Sequence, residues 1–138
     1  MLDGGRAGTM NGMASLRDIV VDCAHPAALA RFWAQALDGY AVAPYDDAEL
    51  TRLRSIGVLD TEDDPTVLVT GPGLPRLFFQ RVPEPRRVKN RLHLDLTAAD
   101  PEQEITRLTG LGARVAARYA GHVLLTDPEG NEFCVMLT

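Results

Sequence analysis

Between residues 89 and 97 the chain alternates strictly: Leu92, Leu94 and Leu96 fall on one side, Arg91, His93, Asp95 and Thr97 on the other. A period of two predicts a strand with one face in a core and the other wet or lining a site. The same period runs through 16–23, where Ile19, Val21 and Cys23 oppose Asp18, Val20 and Asp22. It returns over 74–82, with Leu77 and Phe79 against Phe78, Gln80 and Val82, and over 132–137, with Phe133, Val135 and Leu137 against Glu132, Cys134 and Met136. Shorter strands are predicted over 40–45, 66–70, 113–119 and 121–126.

Helical spacing takes over twice. After His25-Pro26 the apolar positions are Leu29, Phe32, Trp33, Ala36 and Leu37; after Asp100-Pro101 they are Ile105, Leu108 and Leu111. Each run begins with a capping position followed by Pro, which suits the first helical turn. Leu50, Leu53 and Ile56 predict a third, short helix ended by Gly57, and the acidic run 60–64 reads as a solvated loop. Trp33 is expected in the core between helix and sheet.

The order strand, helix, three strands therefore occurs twice. Adding 75 to Asp18 gives His93, and His25-Pro26 maps onto Asp100-Pro101; the final strands align as Phe79 with Phe133 and Gln80 with Cys134. The expected fold class is α+β: two βαβββ modules whose helices cover one face of a curved mixed sheet, leaving the other faces around a central cleft. The first module is placed at about 16–82, a proline-containing linker at 83–88, and the second module at 89–138, together one domain. Residues 1–15 are Gly-rich and aperiodic and are expected to be a dispensable tail, the true start being Met1, Met10 or Met13.

Composition narrows the function. A net charge of −5 and a pI near 5.1 argue against nucleic acid as a partner. No apolar run approaches bilayer length, and the start lacks the apolar core of a secretory signal. Two cysteines, Cys23 and Cys134, do not make a disulfide framework and fit reduced thiols in the cytoplasm.

The helix string Ala28-Leu29-Ala30-Arg31-Phe32-Trp33, the strand and turn from Phe79 to Pro85, the Lys89–Leu96 strand and the Asp127–Cys134 hairpin resemble the vicinal oxygen chelate superfamily. This is the glyoxalase, bleomycin-resistance and dioxygenase group, and the short actinobacterial forms are the nearest likeness. The likeness covers about residues 16–138. It implies a homodimer and a central site to which each module gives one residue from its first strand and one from its last. Carried over by position, those are Asp18, Gln80, His93 and Cys134. The group usually shows His, Gln or Glu there, so Asp18 and Cys134 depart from the pattern.

One carboxylate, one amide, one imidazole and one thiol make an ill-matched ligand set. The expectation is therefore a cleft without a strong metal site and without a cofactor, a divalent ion being the alternative. That cleft would bind a small, partly apolar molecule through Asp18, Phe78, Gln80, His93, Asp95, Glu132 and Cys134, with Val20, Val82, Leu124 and Met136 completing an apolar lining. Asp95 is placed to orient or charge His93. Glu132 is a candidate base on a solvated edge, and Lys89 and Arg91 are expected to pair with nearby acids. The alternative function is a metal-dependent lyase, isomerase or dioxygenase-type enzyme.

Overall fold

The computed structural model describes residues 12–73 and 75–138, so most of the predicted tail lies outside the described residues. The chain divides into two compact units, Met1–Pro83 and Glu84–Thr138, with the break inside the proline-containing linker. Each unit is an α+β arrangement built on one four-stranded mixed sheet.

The first unit contains β1 (Asp18–Cys23), α1 (Pro26–Ala36), β2 (Ala41–Val42), α2 (Asp47–Ser55), a single 3₁₀ turn at Thr61–Asp63, β3 (Thr66–Thr70) and β4 (Arg76–Arg81). Its strand order is β1-β4-β3-β2, with β1 parallel to β4 and the other pairs antiparallel. α1 packs on β2, β3 and β4. It buries Pro26, Ala27, Leu29, Ala30, Phe32, Trp33 and Ala36 against Val67, Val69, Leu77 and Phe79. Phe32 and Trp33 meet edge to face at 5.3 Å, a favoured aromatic geometry.

The second unit contains β5 (Leu94–Leu96), α3 (Pro101–Leu111), β6 (Arg114–Arg118), β7 (His122–Thr126) and β8 (Glu132–Met136), in the order β5-β8-β7-β6. The parallel pair is β5 with β8. α3 packs on β8, burying Ile105 and Leu108; the Asp100 side chain caps it by accepting from the Gln103 N–H, and Gly112 ends it at a φ of 123°.

Several predicted elements are shortened or changed. The strand expected over 40–45 keeps only Ala41–Val42 in register, ending near Pro44, which has no N–H to give. The strand expected over 91–97 is reduced to Leu94–Leu96. Its extension toward residue 93 would need the Glu132 backbone, but the Glu132 N–H donates to Asn90 Oδ1 at 3.3 Å and Glu132 Oε1 accepts from the Asn90 N–H at 3.1 Å. These side-chain bonds replace the ladder, and Leu92 is left 65% exposed rather than in a core.

The acidic run is not a uniformly solvated loop. Asp60 caps the 3₁₀ turn and Glu62 pairs with Arg31. Asp64 is 1% exposed, accepting from Tyr45 Oη at 2.7 Å and from the Thr66 N–H at 3.0 Å. A buried carboxylate needs such partners. Burial and this anionic neighbour push the Tyr45 hydroxyl well above its ordinary pKa.

Candidate functional site

The face of the first sheet opposite α1 is read from the pairing register. Asp18 stands opposite Arg76, Val20 opposite Phe78, and Asp22 opposite Gln80. Arg76 Nε donates to Asp18 Oδ1 at 2.7 Å, Arg76 Nη2 reaches Oδ2 at 3.2 Å, and Arg17 Nε adds a 2.9 Å contact. The Arg76 hydrogen bond is the largest cause holding the Asp18 carboxyl below its usual range. Arg76 also lies over the Phe78 ring at 5.5 Å. Gln80 Nε2 donates to Asp22 Oδ1 at 3.3 Å. Asp18 and Gln80 are thus engaged with different neighbours, and four residues of strand, about 13 Å, separate Asp18 from Gln80's partner Asp22.

In the second unit the face opposite α3 carries Asp95 and Cys134 as direct register partners. His93 joins them from just before β5. His93 Nε2 lies 3.3 Å from Asp95 Oδ1, and one ligand atom each from His93, Asp95 and Cys134 lie within 4.8 Å of one another. The imidazole and carboxylate are 43% and 55% exposed, whereas Cys134 is 5% exposed. Burial, with Asp95 nearby, raises the Cys134 thiol above its ordinary range, so by itself it is a protonated thiol. Glu132 is not a solvated base. Its carboxylate is largely buried, bonded to Asn90 and 3.6 Å from Lys89 Nζ, which ties down the segment leading to His93. The Lys89 contact agrees with the expected pairing to a local acid.

The register corrects the repeat alignment. Val21 faces Phe79 in the first unit, and Leu96 faces Val135 in the second. If the first strands correspond at 75 (96 − 21), the last strands correspond at 56 (135 − 79), not at 54. Gln80 then matches Met136 rather than Cys134. A slip of two residues keeps every side chain on its own face, so hydropathy alternation is blind to it.

The group to which the sequence is likened implies a metal held by the Asp18, Gln80, His93 and Cys134 positions. The residues do not fit that set. Asp18 is consumed by two guanidinium groups, Gln80 donates its amide to Asp22, and the two are far apart on their own sheet. What the second unit does bring together is His93, Asp95 and Cys134. Arg76 as a partner of Asp18 carried no signal in the sequence, since it is 58 residues away and only strand pairing brings it there, whereas Arg17 is the adjacent residue.

The model of the Glyoxalase-like domain family matches residues 18–136. No curated protein matches the sequence. Among solved structures, a "possible glyoxalase" from Bacillus cereus aligns with a TM-score of 0.60 at 12% identity, over 88% of this chain and 97% of that one. A glyoxalase/bleomycin resistance protein/dioxygenase family enzyme from Burkholderia phytofirmans gives 0.59 at 15% identity, over 88% and 97%. The trypanothione-dependent glyoxalase I of Leishmania major gives 0.56 at 13%, over 88% and 85%. At these identities the structural likeness speaks for fold alone, but a family model spanning nearly the whole chain is decisive: this protein belongs to the Glyoxalase-like domain family, within the vicinal oxygen chelate superfamily.

Proposed function

We propose that this protein binds a small, partly apolar molecule on the open faces of its sheets and acts primarily as a binding protein. The observation that carries this reading is the face opposite α1. Val20 is 53% exposed there, beside the half-buried Phe78 and flanked by Asp22 and Gln80. Apolar surface interrupted by a few oriented polar groups is the usual make-up of a ligand site. It sits on a sheet whose other face is a closed core, so the exposure is not needed for folding. Two buried cysteines that form no disulfide suit a reducing cytoplasm, and among the described residues no helix is long and apolar enough to cross a membrane. The functional unit is a homodimer, a second copy covering outer strands of the sheets; light scattering at micromolar concentration checks this against a monomer.

The test uses an anilinonaphthalene sulfonate dye as probe. Binding at one site per chain that weakens severalfold in Phe78→Ala, with the fold retained by circular dichroism, supports the reading. Dye binding that ignores Phe78→Ala and Val20→Asp contradicts it. A second reading, a metal-dependent lyase, isomerase or dioxygenase-type enzyme, draws support from the His93, Asp95 and Cys134 cluster. Turnover of methylglyoxal hemithioacetal that is lost in His93→Ala would favour it.

A further inference from the structure

We infer that two exposed segments, 46–64 and 84–92, form a self-complementary surface through which a second copy of this chain binds. The inference rests on the homodimer proposed above and names the surfaces that hold it. Both segments adjoin outer strands: 46–64 lies between β2 and β3, and 84–92 leads into β5.

Their charges are opposite. Residues 46–64 hold seven acidic side chains against Arg52 and Arg54, whereas 84–92 hold Arg86, Arg87, Lys89 and Arg91 against Glu84 alone. Part of each set is spent locally. Glu49 binds Arg52, Glu62 binds Arg31, Asp64 is buried on Tyr45, and Lys89 pairs with Glu132. Asp47 and Asp63 on one segment, and Arg87 and Arg91 on the other, are exposed and have no ion pair among the described residues.

Each segment also presents aliphatic side chains to water. Gly57, at a φ of 83°, carries the chain out of α2 and leaves Ile56 55% and Leu59 89% exposed beside Asp60. In the basic segment Val88 is 72% and Leu92 65% exposed. Single exposed aliphatics are ordinary. Here four stand in two short stretches, each next to uncommitted charge, which is the make-up of a contact with an apolar centre and a charged rim. The basic segment is tied to its own unit. Asn90 and Glu132 exchange hydrogen bonds at 3.1 and 3.3 Å, and the Arg86 guanidinium lies against Gly130.

A second copy is the occupant that fits both segments. It brings an acidic, aliphatic segment to the basic one and a basic, aliphatic segment to the acidic one. A twofold arrangement therefore satisfies both contacts at once. An acidic partner of another kind would cover 84–92 and leave Ile56 and Leu59 in water. Like segments repel each other, so charge also fixes which surface meets which.

Charge reversal on the full-length protein tests this by light scattering at micromolar concentration in about 0.1 M salt. The unaltered protein should be a dimer. The double variant Arg87→Glu/Arg91→Glu should be a monomer, and so should Asp47→Lys/Asp63→Lys, each with its fold retained by circular dichroism. An equal mixture of the two variants should recover the dimer, because each supplies the charge the other has lost. Leu59→Ser, at a side chain the monomer leaves in water, should raise the dissociation constant about tenfold or more. A dimer that persists in Arg87→Glu/Arg91→Glu and in Leu59→Ser overturns the inference and leaves the homodimer standing on other surfaces. Two folded monomeric variants that stay monomeric when mixed overturn it as well. A monomeric unaltered protein overturns both the inference and the homodimer.

Discussion

The two units share a strand order and a helix placement, yet they use their polar residues in opposite ways. In the first unit β1 runs six residues and is paired throughout with β4. Its polar residues are spent on one another: Asp18 on Arg76 and Arg17, Gln80 on Asp22, Asp64 on Tyr45. In the second unit β5 has three paired residues. The residues around it keep exposed, lightly committed functional groups, His93 and Asp95, over a buried thiol. The helices differ in the same sense. Both are eleven residues long and begin with Pro, but α1 buries seven residues and α3 two. A repeated topology fixes the scaffold, while the side-chain partners of corresponding strands differ between the copies.

The sharpest way to break this comparison is at the larger of the two helix positions buried in both copies, Ala30 with Ile105 being the smaller. Trp33 and Leu108 correspond at the 75-residue offset, and both are fully or nearly fully buried. Trp33→Ala should cost about 3–5 kcal/mol and Leu108→Ala about 2–5 kcal/mol in urea unfolding. Because α1 has more buried neighbours, Trp33→Ala should be the larger loss; a larger loss at Leu108 would mean that the second unit carries the main core. Next in size is Tyr45→Phe, which removes the hydroxyl from buried Asp64. It should cost about 1–3 kcal/mol, read in the same assay, and a neutral result would show that the Thr66 N–H and Arg52, 3.8 Å away, suffice for that carboxylate.

Much of this architecture was legible in the sequence. Alternating and helical periods located α1, α2, α3 and every strand, and the His25-Pro26 and Asp100-Pro101 pairs marked both helix starts. Three things were hidden for physical reasons. The truncation of β5 depends on Asn90 and Glu132, 42 residues apart, exchanging side-chain for ladder bonds. The two-residue error in aligning the last strands preserves facing, so periodicity could not register it. The burial of Asp64 inside an acidic run depends on Tyr45 arriving from 19 residues upstream. For the site, His93, Asp95 and Cys134 were each visible as polar or thiol positions on one face. Their closeness, and the separate engagement of Asp18 and Gln80, came only from strand register.

The most direct measurement sets one carboxylate of each unit against the other. Urea unfolding of Asp18→Asn and Asp95→Asn should be compared with the unaltered protein as a function of pH. Asp18's folded pKa is depressed, so its ion pair contributes above the unfolded carboxyl value of about 3.9 and is lost as pH falls through the lower folded value. Asp18→Asn should therefore cost about 1–2 kcal/mol at pH 7, and the difference should shrink toward zero below about pH 4. Asp95→Asn, at an exposed position, should stay within about 0.5 kcal/mol throughout. Equal losses at pH 7, or a larger loss for Asp95→Asn, would contradict the claim that Asp18 in the first unit is committed to folding while Asp95 in the second contributes little to it.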